Sequence, residues 1–248
     1  MREVLLSEER LEPLGGGMKI VVSDDHPFGT DAILLADFAN MRNNDTVCDL
    51  GTGCGIIPLL WCKNSSPESV DAVDIQEKAC AQLEKSVRIN SLSDKLRVHC
   101  ADLRGIKGVL PLGAYDVVTM NPPYKPVGTG IESLSEAEKI ARHETECTLD
   151  DAVSAAKKLL RFGGRFCLCH RPERLCDIMV SMRNGGIEPK RIRFVVQQCG
   201  KRPWLVLVEG RSGGKPHLTV EPELEIKSPD GSDSEELLRI FGDYREGH

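Results

Sequence analysis

Between Thr46 and Gly55 the chain reads Thr-Val-Cys-Asp-Leu-Gly-Thr-Gly-Cys-Gly, a short apolar run that ends in a cluster of glycines. Glycines in that spacing let the backbone turn tightly and approach a ligand closely. The run therefore predicts a strand, a turn and the start of a helix. The same alternation continues downstream. Apolar stretches at Val70–Ile75, Leu96–Ala101, Tyr115–Met120, Arg165–His170, Arg191–Gln198 and Pro203–Glu209 read as strands. Helical patterns lie at Gln76–Asn90, Thr148–Arg161 and Glu173–Asn184, with Thr148 and Asp151 spaced as a cap and Gly163-Gly164 closing the second. Strands that alternate with helices imply a mostly parallel sheet covered on both faces. The expected fold is a single α/β Rossmann-like domain with a seven-stranded, mostly parallel sheet over residues 46–226. Residues 1–45 read as a hairpin around Leu14–Val22 and a helix from Asp31 to Met41, packed on that core. Residues 227–248 read as an acidic C-terminal tail, a loop at Ser228–Ser234 followed by a short helix at Glu235–Phe241.

Size and composition fit this reading. The chain has 248 residues, 40% of them hydrophobic, enough for a sizeable core. No apolar run approaches the roughly 18 residues of a membrane helix, and the N-terminal residues lack the apolar centre of a secretory signal. The expected location is the cytoplasm. Ten cysteines are present without a single Cys-x-x-Cys pair. They are expected to be reduced, largely structural thiols, and no metal site is expected. The net charge of −6 hides a division. Residues 157–218 carry 14 Lys and Arg against 4 Asp and Glu, whereas residues 219–248 carry 9 acidic and 3 basic residues. A basic stretch of that kind is either an ordinary solvated face or a source of phosphate contacts to a nucleic acid.

Asp49-Leu50-Gly51-Thr52-Gly53-Cys54-Gly55 suits two ligands, a dinucleotide or S-adenosylmethionine. A dinucleotide fingerprint needs Gly or Ala where Ile56 stands. Asp74 ends the second strand, 25 residues after Asp49, where a carboxylate can accept from both hydroxyls of a ribose. Asp102 ends the third strand, at the height of a nucleoside base. An acid at one strand end is often just a helix cap. Three in order are more specific.

Asn121-Pro122-Pro123-Tyr124 follows the fourth strand and carries the most chemical information. The amino group of a nucleobase or carboxamide is a poor nucleophile, because its lone pair is delocalised. Two acceptors on its two hydrogens hold the nitrogen in a more pyramidal state. The Asn121 side-chain oxygen and the Pro122 carbonyl are the two acceptors. The prolines fix the turn, and Tyr124 offers a ring on which a planar substrate can stack. Catalysis of this kind needs positioning and electrostatics rather than a strong base. The bland alternative is a Pro-Pro turn that merely ends a strand.

Together these motifs resemble the class I S-adenosylmethionine-dependent methyltransferases that act on amino nitrogens. Phe28-Gly29-Thr30-Asp31-Ala32-Ile33-Leu34-Leu35 is similar to a segment of the bacterial tRNA adenine-N6 methyltransferases that modify valine tRNA beside the anticodon. So are Ala141-Arg142-His143-Glu144 and Leu205-Val206-Leu207-Val208-Glu209-Gly210, and the likeness runs from about residue 10 to 226. The resemblance implies N6 methylation of an adenine in tRNA, with S-adenosylmethionine as cofactor; nothing in the sequence demands a dimer, and a monomer is expected. It implies that Phe28, Gly29 and Thr30 cover the cofactor pocket and that Asp49, Gly51, Gly53 and Gly55 surround the methionine end. Asp74 would hold the ribose and Asp102 the adenine end, with Ile75, Leu103 and Asn121 also at the cofactor, and Asn121, Pro122, Pro123 and Tyr124 would hold the target base. Arg142 and His143 would touch substrate. Lys190, Arg191, Arg193, Lys201 and Arg202 are the expected basic contacts to tRNA. Pro27, where a basic or aromatic residue is expected, and the acidic segment after Lys227 depart from the pattern. Alternatives are methylation of a protein glutamine, rRNA guanine or DNA adenine, a nicotinamide-dependent oxidoreductase, and a non-catalytic RNA-binding protein.

Overall fold

The computed structural model describes residues 5–122 and 147–247. Two antiparallel strands, β1 (Glu9–Gly15) and β2 (Met18–Ser23), form the N-terminal hairpin, and α1 (Thr30–Phe38) follows. The main sheet then takes β3 (Thr46–Leu50), β4 (Ser69–Asp74), β5 (Leu96–Cys100), β6 (Tyr115–Met120), β7 (Leu160–His170), β8 (Ile187–Val196) and β9 (Pro203–Ser212). Helices α2 (Ile56–Asn64), α3 (Glu77–Ile89), α4 (Leu149–Leu159) and α5 (Leu175–Asn184) connect them. Two short strands, β10 (Thr219–Val220) and β11 (Leu224–Glu225), and a last helix, α6 (Glu235–Phe241), end the chain.

The spatial order is β5-β4-β3-β6-β7-β9-β8, with β10 and β11 both paired to β8. Neighbours from β5 to β7 are parallel, and β9 runs antiparallel to both β7 and β8. The chain therefore winds outward from β3 to β5, then crosses back to β6 on the other side of β3. Such a reversal opens a crevice at the carboxyl ends of the strands.

Alternate side chains of each strand enter opposite layers, as the pleat requires. Val47, Val117, Cys167, Leu205 and Leu207 face α1, α2 and α6, together with Leu14, Ile20 and Val22 of the hairpin. Cys48, Val118, Phe166, Leu168, Val206 and Val208 face α4 and α5. Both faces are covered, which is why these strands read as continuous apolar runs. The expected α/β architecture is observed, with β3–β9 as the seven strands. All ten cysteines are free thiols.

Two local readings change. Helix α4 is capped as expected, with Thr148 Oγ1 accepting from Asp151 N–H and Asp151 Oδ2 accepting from Thr148 N–H. It ends at Leu159, however, and Gly163-Gly164 lies inside β7 rather than closing the helix. The pairing jumps there, from Tyr115↔Leu160 to Val117↔Arg165. A side chain on Gly164 would fall 2.8 Å from the Tyr115 carbonyl oxygen, so the strand needs glycine at this irregularity.

The acidic C-terminal segment is part of the core. Ser234 caps α6 by accepting from Leu237 N–H, and Leu237, Ile240 and Phe241 are buried in the α1 layer. Arg239 pairs with Asp37 at 3.0 Å, and Arg193 pairs with Glu236 at 2.7 Å. Leu237 is 0% exposed. Leu237→Ala should therefore cost about 2–5 kcal/mol of unfolding free energy, the range for a truncated core leucine. Urea unfolding measures it, and a change below roughly 0.5 kcal/mol, as at a surface site, would show that α6 does not share the core.

Candidate active site

A cavity of about 630 Å³ opens at the carboxyl ends of β3 to β7. Its floor is set by register. Asp49 of β3 lies between Ala72 of β4 and Thr119 of β6, so the glycine loop after Leu50 and Asn121 after Met120 leave the sheet side by side. Gly51, Gly53 and Gly55 all take left-handed backbone angles, with φ of 65°, 54° and 83°, which side chains rarely adopt. Thr52 N–H donates to the Val73 carbonyl at 3.0 Å and Gly53 N–H donates to Asp74 Oδ2 at 2.8 Å. The other carboxylate oxygen of Asp74 accepts from Gln76 N–H at 2.9 Å. One acid thus holds the glycine loop and the start of α3 together while lining the cavity.

Asp49 is 1% exposed, and Thr119 Oγ1 donates to it at 2.5 Å. Burial pushes its carboxyl up to about 7, with the hydrogen bond from Thr119 opposing and the nearby Asp74 charge adding to the rise. No Lys, Arg or His among the described residues pairs with it. A buried carboxylate of that kind is stabilised by a cation from outside the chain.

Phe28, Gly29, Asp49, Gly51, Gly53, Asp74, Ile75, Asp102, Leu103, Asn121 and Pro122 all line this one cavity. Thr30 and Gly55 do not. Thr30 begins α1, and Gly55 caps α2 where any side chain would collide with Leu83. Asp102 commits its carboxylate to Arg104, whose Nε lies 2.9 Å away, and this pairing holds its pKa below the usual range. Phe28 is backed by Tyr244 of the C-terminal segment, ring centres 5.8 Å apart. Pro123, Tyr124, Arg142 and His143 lie outside the described residues.

Several participants escape a reading of motifs. Asn121 Nδ2 donates to Asp31 Oδ2 at 3.2 Å, and the Cys169 thiol donates to Asn121 Oδ1 at 2.9 Å. Asp31 was legible only as part of Phe28–Leu35, and Cys169 only as packing. His170 and Arg174 also line the cavity. Burial, aided by Arg174 and Arg171, lowers the His170 pKa to about 4, and its Nδ1 accepts from Arg171 N–H at 2.8 Å. The ring is neutral near pH 7 and carries its hydrogen on Nε2.

The family model of the methyltransferase small domain matches residues 20–174, which takes in the glycine loop, both strand-end acids and Asn121. The chain belongs to that family. This methyltransferase is similar to the tRNA1(Val) (adenine(37)-N6)-methyltransferase of Tolumonas auensis, 27% identical over 217 residues that cover 87% of this chain and 88% of that one. The enzyme of the same name from Yersinia pseudotuberculosis is 26% identical, covering 87% and 84%. Among solved structures, a predicted O-methyltransferase from Agrobacterium tumefaciens has a TM-score of 0.65 at 18% identity and covers 88% of this chain and 96% of its own. TrmN from Thermus thermophilus has a TM-score of 0.52 at 23% identity, covering 73% and 48%. The two structures speak to the fold alone, and it is the family that removes the oxidoreductase alternative.

The methyltransferase does not present its basic stretch as one free face. Arg191 donates to Glu209 at 2.8 Å and Glu221 at 3.0 Å, and its guanidinium lies 3.9 Å from the centre of the Phe38 ring. Arg193 is held by Glu236 and by the Pro222 carbonyl. Lys190 lies in the amino-terminal half of β8, and its Nζ donates to the Lys215 carbonyl. Arg191 and Arg193 are thus drawn to the acidic segment that follows, where Glu221 and Glu236 hold their guanidinium groups. Lys201 and Arg202 are exposed in the β8–β9 turn. That turn is at the cavity end of the sheet, because β8 and β7 run the same way on either side of β9.

The Asp49 shift predicts a pH dependence. Between about pH 4 and pH 7 the folded chain holds a proton on Asp49 that the unfolded chain has lost. Stability of the ligand-free chain should fall as pH rises through that window. Asp49→Asn should remove this component, read from urea midpoints at pH 4.5 and 7.5. An unchanged slope in the variant would mean that Asp49 is not the group with the raised pKa.

Proposed function

We propose that this methyltransferase acts on the N6 amino group of an adenine in tRNA, using S-adenosylmethionine, as a cytoplasmic monomer. The observation that carries the chemistry is that Asn121 and Pro122 border the same cavity as Asp49 and Asp74. The names of relatives that align over 87% of the chain support the substrate. No helix among the described residues is long and apolar enough to cross a membrane.

The residues present fit the cofactor. Asp49 offers a buried negative charge to the ammonium of the methionine end, Asp74 offers carboxylate lone pairs to ribose hydroxyls, and Leu103 an apolar wall to the adenine. When bound, S-adenosylmethionine supplies an electrophilic methyl group on a positively charged sulfur. Asn121 Oδ1 and the Pro122 carbonyl accept the two hydrogens of the target amine. This localises the nitrogen lone pair and stabilises the positive charge that develops there. No strong base is required, because the cationic product nitrogen loses its proton readily to water. Stacking on Tyr124, with Pro123 fixing the turn, and contacts from Arg142 and His143 are part of the same proposal. Phosphate contacts come from Lys201 and Arg202 at the cavity end of the sheet, with Arg171 and Arg174 beside them after β7.

Incubation of the protein with labelled S-adenosylmethionine and bulk tRNA, followed by nucleoside mass spectrometry, should give N6-methyladenosine. Label in a protein substrate and none in tRNA would overturn the substrate. Asn121→Ala should lower kcat by roughly 10²- to 10³-fold, the effect of losing one transition-state hydrogen bond. Affinity for S-adenosylhomocysteine, measured by calorimetry, should stay within severalfold. Undiminished turnover would refute the acceptor role.

The two ends of the sheet predict different salt behaviour. Lys201→Glu with Arg202→Glu should lower the slope of log affinity for tRNA against log salt by about two, roughly one per lost phosphate contact. Lys190→Glu should leave it unchanged. Equal effects in both variants would contradict the placement of RNA at the cavity end.

A further inference from the structure

We infer that Asp31 is a positioning residue that fixes the Asn121 side-chain amide with its oxygen toward the substrate, and that Gly29 is glycine so that Asp31 can do so. The inference rests on the amine-accepting role of Asn121 and adds what holds that acceptor in place. An asparagine amide presents an acceptor on one side and two donors on the other. Rotation by half a turn would exchange them and put an NH2 group where the substrate amine must be held. Such a flip would abolish the acceptor without changing the sequence.

The structure opposes the flip from both sides. The Asp31 carboxylate is acceptor-only and lies 3.2 Å from Nδ2, so a flipped amide would set oxygen against oxygen. The Cys169 thiol, fully buried in β7, donates to Oδ1 at 2.9 Å and uses one of its two lone pairs. The other lone pair remains for a substrate N–H. The carboxylate also polarises the amide, which makes Oδ1 a stronger acceptor as positive charge develops on the attacking nitrogen. Asp31 sits in the first turn of α1, where the helix end favours a negative charge.

Gly29 supplies a separate line of argument. Its backbone is extended, with φ −112° and ψ 170°, so nothing in its conformation requires glycine. Space does. A methyl group added there would collide with Asp31 Oδ1, the other oxygen of the carboxylate that Asn121 uses. Gly29→Ala is therefore a way to displace the Asp31 carboxylate while leaving Asp31 in the chain.

The test compares Asp31→Ala, Asp31→Asn and Gly29→Ala with the parent protein. In tRNA methylation, Asp31→Ala and Gly29→Ala should each lower kcat about 10- to 100-fold, the rate equivalent of a hydrogen bond to a charged group. The KM for S-adenosylmethionine should stay within about threefold, and Asp31→Asn, which keeps an acceptor oxygen but loses the charge, should fall between. A readout that needs no substrate accompanies this. In the 15N-labelled protein, the Asn121 side-chain NH2 signal, assigned by its absence in Asn121→Ala, should exchange slowly with solvent. That protection should be lost in Asp31→Ala and Gly29→Ala. An Asn121 signal unaltered by both variants would overturn the inference. So would a more than tenfold loss of cofactor affinity with kcat unchanged, since Asp31 would then be holding the cofactor. If the parent protein methylated no tRNA, the substrate proposal would fail while the NH2 signal still judged Asp31.

Discussion

The pairing of β3 with β6 is the constraint on which the rest depends. Only in a sheet that winds outward from β3 and returns on its other side do Asp49 and Thr119 become neighbours. Residues 70 apart in sequence then share a hydrogen bond. The glycine loop leaves one strand and Asn121 leaves the other, into a single cavity. Each half alone is ordinary: a tight turn in one case, an asparagine before prolines in the other. Their adjacency places the glycine loop and Asn121 on one cavity, which is what the proposed reaction requires.

The cavity is unusual in its charge. Asp31, Asp49 and Asp74 all border it, and Asp49 has no cationic partner among the described residues. Burial of unpaired acids is unfavourable, which is why the Asp49 carboxyl is pushed up to about 7. A ligand that brings positive charge relieves that strain. The fold bears a local instability where a cationic cofactor would bind, and the stability elsewhere comes from two thick apolar layers.

The sequence carried the strands and helices well, because period and capping are local. Thr148 with Asp151, the helix at Glu235–Phe241 and the strand at Thr46–Leu50 all appear as read. The glycine pair at Gly163-Gly164 was ambiguous, since glycine serves equally as a helix stop and as an irregularity within a strand. The described cavity lining was largely legible from three acids at strand ends and from Asn121 and Pro122. What was not legible depends on contacts across the chain. Asp31 and Cys169 reach Asn121 from 90 and 48 residues away. Arg191 and Arg193 looked like free cations because their partners Glu221 and Glu236 lie 30 and 43 residues on. Composition shows that a basic stretch and an acidic stretch coexist, but only the fold shows that Arg191 and Arg193 of one pair with Glu221 and Glu236 of the other.

The most direct test of the β3–β6 junction as one reaction centre is a crystal structure with S-adenosylhomocysteine bound. The ligand's amino group should lie against Asp49, its ribose against Asp74, and its sulfur on the Asn121 side of the cavity. A ligand bound with its sulfur turned away from Asn121, or seated outside the cavity between β3 and β6, would contradict the account.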